Sequence, residues 1–122
     1  MGVLGMSKSI SPFKRVKVYA KTNGHCAYCG DNLCEEDFHI DHVFPKSLGG
    51  SNDLGNLMPS CHSCNASKGT KTLEHYRMYL TAKKVTGVAI FGHSQLMYLK
   101  EAGAFPVLGF DKEHRFHFEV MA

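Results

Sequence analysis

The chain has 122 residues, a formal charge of +3, 43% hydrophobic and 20% charged residues, the composition of one ordinary globular domain small enough for a metal staple to help its core. Its longest apolar run, VAIF at 88–91, falls far short of the ~18 residues of a membrane span. The start, MGVLGMSKS, is too short in its apolar part for a secretory signal and carries Met6 where a myristoylation motif wants Ser or Thr, so a cytoplasmic location is expected.

Charge is unevenly spread. Residues 1–25 carry Lys8, Lys14, Arg15, Lys17 and Lys21 with no acid, and residues 65–84 carry Lys68, Lys71, Arg77, Lys83 and Lys84 against Glu74. Between them, residues 26–64 hold six acids against Lys46 alone. Basic flanks suit a polyanion and an acidic centre suits a cation, though solvated helix faces give the same pattern.

In chain order, the first predicted element is a basic helix over about 12–23, with Ser-Pro at its start, a glycine at its stop, and Phe13, Val16 and Ala20 at helical spacing. CAYC at 26–29 follows, with Gly30 suited to a tight knuckle. FHIDHVF, 38–44, reads as a strand ended by Pro45. KSLGGSNDLG reads as a loop in which Gly49 and Gly50 permit the turn, and NLMP as a second short strand. CHSC at 61–64 leads into a short helix that Gly69 caps. Thr72 starts a further helix, LEHYRMYLTAKK. In the extension at about 85–122, Ser94 caps a helix QLMYLKEA. There Phe116, Phe118 and Val120 alternate with Arg115, His117 and Glu119 as a half-buried strand, forming a β-hairpin with FPVLGF.

Four of the five cysteines, Cys26, Cys29, Cys61 and Cys64, form two C-x-x-C pairs, and each pair offers two thiolates to one tetrahedral zinc. Disulfides are disfavoured inside cells, so metal ligation is the better account. Thirty-one residues lie between the pairs, so the zinc clamps the ends of an insert. Four protein ligands leave no open position, which makes the role structural. Cys34 reads as a free thiol.

Strand, loop, strand and helix between zinc knuckles, with CAYCG, IDHVFPKSLGG, NDLGNL and CHSCNASKG in that order, resemble the HNH nuclease family over about residues 24–70. The nearest type is the standalone phage and bacterial form with a four-cysteine zinc. The resemblance implies an α+β fold with a ββα-metal core stapled by the zinc, to which the C-terminal helix and β-hairpin are appended, and the length is that of a single domain spanning 1–122. It implies a metal-dependent endonuclease that nicks DNA, leaving 3′-hydroxyl and 5′-phosphate ends. By the same resemblance His42 is the general base, Asn56 tethers the loop that orients it, and Asp41 and Asn65 hold a divalent ion. The third motif position is often histidine, so this is an H-N-N variant.

The chemistry of the residues supports these roles. Phosphodiester hydrolysis needs an activated water and compensation for the charge that builds on phosphate. Histidine, with an ordinary pKa near ~6.5, suits the base. Carboxylate and amide oxygens suit Mg2+ or Mn2+. An ideal strand points Asp41 and His42 to opposite faces, so the site requires twist near Pro45. His39 reads as a third metal ligand, a phosphate contact or an exposed strand histidine. Lys68, Lys46 and Arg77 are candidate phosphate contacts against solvated alternatives, and His62 faces the phosphate or caps the knuckle. The competing functions are a non-catalytic, zinc-stabilised nucleic-acid-binding module and a protein-interaction module that uses residues 85–122 for a partner.

Overall fold

The computed structural model describes residues 10–86, 94, 95, 98, 101 and 114–121. The chain divides into two units, Met1–Thr70 with Phe116–Ala122, and Lys71–Arg115.

The first unit opens with helix α1, Pro12–Lys21. The Ser11 hydroxyl accepts from Lys14 N–H at 3.1 Å, and Pro12 stands at the first helical position, where its missing N–H costs nothing. The buried face differs from the one the apolar spacing predicts. Val18 is fully buried, whereas Phe13 and Val16 are 71% and 55% exposed. Arg15, Tyr19 and Thr22 share the inward side with Val18. Arg15 lays its guanidinium 3.9 Å over the Phe38 ring and donates to Phe38 O at 2.6 Å, and Tyr19 donates to Leu33 O at 3.1 Å. Long basic side chains cover the core with their stems and satisfy buried carbonyls with their heads.

The same helix ties down the central loop. Lys14 Nζ donates to Asn52 O at 2.8 Å, and Lys21 Nζ donates to Leu54 O at 2.7 Å and Leu57 O at 2.6 Å. Partial burial pulls the Lys21 ammonium below its ordinary pKa. Expected to face a polyanion, Lys14, Arg15 and Lys21 instead serve the fold, because the acceptors of an irregular loop would otherwise lack donors.

Two short strands, β1 (His39–His42) and β2 (Leu57–Ser60), pair antiparallel with His39 opposite Ser60 and His42 opposite Leu57. β1 is shorter than the expected 38–44, since pairing stops before the turn at Pro45. Single 3-10 turns at Lys46–Leu48 and Leu54–Asn56 shape the connection. Gly50 is obligatory there: a Cβ on it would lie 1.8 Å from Phe44 O, while its N–H donates to Pro45 O at 2.9 Å.

Helix α2, His62–Lys68, follows β2; Gly69 ends it with φ 53° and its N–H returns to Asn65 O at 3.0 Å. The strand expected at 116–120 is a helical turn instead, α4 (His117–Val120), numbered after the second unit's helix. Glu119 Oε1 accepts from Phe116 N–H at 2.8 Å, a helix-start contact that overrides five residues of alternation. Its aromatic residues pack on Tyr28, with ring centroids 5.3 Å away for Phe116 and 6.1 Å for Phe118. Backbone N–H groups of His117 and Phe118 donate to Tyr28 O and Ala27 O at 3.1 and 2.8 Å.

The second unit holds α3, Leu73–Thr86, whose start is capped by Thr72 Oγ1 accepting from His75 N–H at 3.3 Å. Arg77, a candidate phosphate contact, grips Glu74 at 2.9 and 3.1 Å and donates to His114 O at 2.7 Å. Of the helix expected at 95–102, positions 95, 98 and 101 are described and helical; the FPVLGF arm of the expected hairpin lies outside the described residues. Among the described residues no helix is long and apolar enough to cross a membrane.

Candidate active site

The two C-x-x-C pairs meet. The sulfur atoms of Cys26, Cys29, Cys61 and Cys64 all lie within 4.8 Å of one another. Zinc–sulfur bonds of about 2.3 Å at tetrahedral angles set sulfur separations of about 3.8 Å, and Cys29 Sγ and Cys61 Sγ stand 3.8 Å apart. The donor set therefore fits tetrahedral zinc. Backbone N–H groups of Tyr28, Cys29 and Cys61 point at Cys26 Sγ at 3.4, 3.5 and 3.4 Å, and Cys64 N–H points at Cys61 Sγ at 3.3 Å. Such donors favour a thiolate. The Cys64 thiol beside it, aided by these amides, pushes Cys26 down to about 4, while burial pushes Cys29 up to about 12. Cys64 is also raised, first by its hydrogen bond with Cys26. Cys34 lies apart from the four and donates to Glu36 Oε1 at 3.2 Å.

Tyr28 carries the knuckle's geometry to β1. Its ring is buried, and its hydroxyl donates to Asp41 Oδ2 at 2.5 Å. Asp41 is only 5% exposed. Its counter-charge is Lys68, whose ammonium lies 3.1 Å from Oδ2 and 3.5 Å from Oδ1 and donates to His42 O at 3.0 Å. Lys68 is fully buried. The sequence suggests a solvent-facing phosphate contact at this position; instead the ammonium is spent on the carboxylate and on the end of β1, because a buried anion requires a partner.

His42 leaves the strand on the opposite side of the pleat, as strand geometry demands. Its Nε2 meets Asn52 Oδ1 at 2.7 Å. An amide oxygen only accepts, so Nε2 bears the hydrogen and a neutral ring keeps its lone pair on Nδ1. Sequence reasoning missed Asn52; the signal available was an Asn in the loop that must pass the histidine. Asn56 braces the same loop: Oδ1 accepts from Phe44 N–H at 2.8 Å, and Nδ2 donates to Phe44 O at 3.1 Å and Ser51 O at 2.9 Å.

Although Asp41 and His42 diverge, both border one open cleft of about 210 Å³ together with Ile40, Lys46, Asn65 and Thr70. Asn65 enters from α2 and is half-buried, and Lys46 is exposed at the rim. Residues bearing a carboxylate, an amide and an imidazole thus line one polar opening, with a lysine among them. His39 and His62 do not border it; they meet each other at 2.6 Å between ring nitrogens.

Comparison with known proteins gives a consistent picture. Residues 26–81 match the family model described as HNH endonuclease. The chain is 38% identical over 56 residues to the CRISPR-associated endonuclease Cas9 of Corynebacterium diphtheriae, 45% of this chain and 5% of that protein. It is 32% identical over 90 residues to the SPbeta prophage-derived YoqL of Bacillus subtilis, 65% of this chain and 35% of the relative. Septu protein PtuB of Bacillus thuringiensis is 33% identical over 63 residues, 48% of this chain and 24% of the relative. The chain thus spans about a third or less of the length of these relatives. Among solved structures, the type II-C Cas9 of Actinomyces naeslundii shares the fold at a TM-score of 0.52 and 23% identity, over 80% of this chain and 11% of that one.

Proposed function

We propose that this chain, whose residues 26–81 match the HNH endonuclease family model, is a Mg2+- or Mn2+-dependent endonuclease that nicks DNA. The observation that carries this reading is the convergence of Asp41, His42 and Asn65 on one polar cleft.

The residues fit a hard dication. Asp41 and Asn65 offer a carboxylate and an amide oxygen, and the Lys68 ammonium 3.1 Å from Asp41 Oδ2 stands in the place a bound cation would share. Asp41 and Asn65 would hold the ion, which when bound supplies Lewis-acid stabilisation of charge on the phosphate and the leaving oxygen.

The chain's own groups do the rest. His42 Nδ1 accepts a proton from water while Nε2–H stays on Asn52, which fixes ring plane and tautomer. The hydroxide oxygen so formed attacks phosphorus, the bond to the 3′ oxygen breaks, and that oxygen takes a proton from solvent water, giving a 3′-hydroxyl and a 5′-phosphate. Asn56 keeps loop 44–51 against the end of β1, so that Asn52 reaches His42. Lys46, exposed at the cleft rim, contacts a neighbouring phosphate. The four-cysteine zinc is structural, holding Tyr28 and the start of α2 in register.

Supercoiled plasmid incubated with the zinc-loaded protein and Mg2+ tests this. Open circles should appear, and His42→Ala should abolish them while zinc content stays at one per chain. Absence of cleavage by folded wild-type protein with Mg2+ or Mn2+ would overturn the reading in favour of a binding module.

A further inference from the structure

Beside the cleft, three side chains from separate stretches converge. His39 Nε2 stands 2.6 Å from His62 Nδ1, and His62 Nε2 stands 3.0 Å from Asp37 Oδ1. The two rings are nearly perpendicular, at 88°, with centroids 4.3 Å apart. A carboxylate only accepts, so His62 Nε2 bears the hydrogen, and the neutral ring directs the lone pair of Nδ1 toward His39.

We propose that His39 Nε2 and His62 Nδ1 form a second metal site, for an imidazole-preferring dication such as Ni2+, Cu2+ or Zn2+, with Asp37 bracing His62 from behind. Two imidazoles on one ion at bonds of about 2.0–2.1 Å hold their nitrogens roughly 3.0–3.4 Å apart. The observed 2.6 Å needs to open by less than an ångström, which small side-chain rotations supply. A carboxylate on the far nitrogen is the usual partner of a ligating histidine, orienting the ring and raising its basicity.

Both ligands stand on firm backbone. His39 is in β1, paired opposite Ser60, and His62 begins α2 between Cys61 and Cys64. The His62 and Asp37 side chains are 62% and 71% exposed, so an ion enters freely and water completes its shell. Softness separates this site from the cleft: nitrogen donors favour Ni2+, Cu2+ and Zn2+, whereas Mg2+ requires oxygen. Spacing separates it too. His39 lies two residues before Asp41, a strand distance of about 6–7 Å, beyond the ~3.5–4 Å of a two-metal centre. The site therefore stands whether or not the cleft hydrolyses DNA.

The test uses zinc-loaded full-length protein, titrated with Ni2+ by calorimetry and with Cu2+ by electron paramagnetic resonance. One ion beyond the zinc should bind per chain, and the Cu2+ spectrum should carry splitting from two imidazole nitrogens. His39→Gln and His62→Gln should each weaken binding at least tenfold, and Asp37→Asn by about tenfold, the usual cost of losing an outer-shell partner. Retained zinc, measured in each variant, certifies the fold. Because the Asp37 side chain is exposed, Asp37→Asn remains a readable variant should either histidine change disturb folding. No uptake beyond the zinc, or uptake that all three variants leave unchanged, would overturn the proposal.

Discussion

Tyr28, set between Cys26 and Cys29 of the four-cysteine cluster, donates its hydroxyl to Asp41 Oδ2 at 2.5 Å. The knuckle therefore holds the cleft carboxylate as well as the chain. Tyr28→Phe keeps the ring that packs on Phe116 and Phe118 and removes only the donor. Stability should fall by about 1.5–3 kcal/mol, the usual contribution of a hydrogen bond to a charged acceptor, since Lys68 still contacts Oδ2, with zinc retained. Nicking should slow by about tenfold, because the carboxylate loses its fixed orientation. Denaturant melts and plasmid assays on zinc-quantified protein check both.

Lys68 should behave differently. Lys68→Met removes the counter-charge of a buried carboxylate, and breaking one partner of such a pair costs about 3–5 kcal/mol. The ammonium also competes with any cation for Asp41, so Mn2+ binding by the surviving folded protein should tighten. Looser Mn2+ binding would make Lys68 a helper of the metal rather than its stand-in.

Asp41 and His42 should fail in distinct ways. Asp41→Ala should weaken Mn2+ binding, with excess metal recovering a little activity. His42→Ala should bind Mn2+ and DNA nearly as wild type yet lose ~10²-fold or more in rate. Asn52→Leu should give a milder loss, since the base remains while its orientation is lost. Loss of metal in His42→Ala with retention in Asp41→Ala would reverse the assignments.

Zinc removal should unfold the first unit. Metal-binding energy is folding energy in small domains of this kind, so a strong chelator or Cys61→Ser should abolish the cooperative melt. A metal-free Cys61→Ser protein with a native melt would refute the structural role.

Lys14 separates fold from binding. Its ammonium sits on Asn52 O at 2.8 Å, so Lys14→Met should lower stability and slow nicking while leaving the salt dependence of DNA affinity nearly unchanged. A drop in the salt slope by about one would instead mark it as a phosphate contact.

What the sequence disclosed follows a physical division. Motifs with fixed spacing were legible: both C-x-x-C pairs, β1, β2, and Gly69 at the end of α2. Faces and partners were not. Phe13, Val16 and Ala20 have helical spacing, but the core side of α1 was set by Phe38 and the loop carbonyls, which recruit Arg15, Lys14 and Lys21. Nothing local to Lys68 announces a carboxylate 27 residues earlier in the chain. FHFEV alternates like a strand, yet one side-chain contact from Glu119 tips so short a stretch into a helical turn.

The two amides that α4 lends to the knuckle, from His117 to Tyr28 O and from Phe118 to Ala27 O, also carry a schedule. A ribosome adds about 5–20 residues per second, so residue 116 emerges seconds after residue 70 has completed the strands, cleft and cysteines. During that interval the nascent chain holds its catalytic candidates with the inner side of the Tyr28 ring uncovered. A chain halted before residue 116 should therefore hold the Asp41 carboxylate less firmly than one that has passed it.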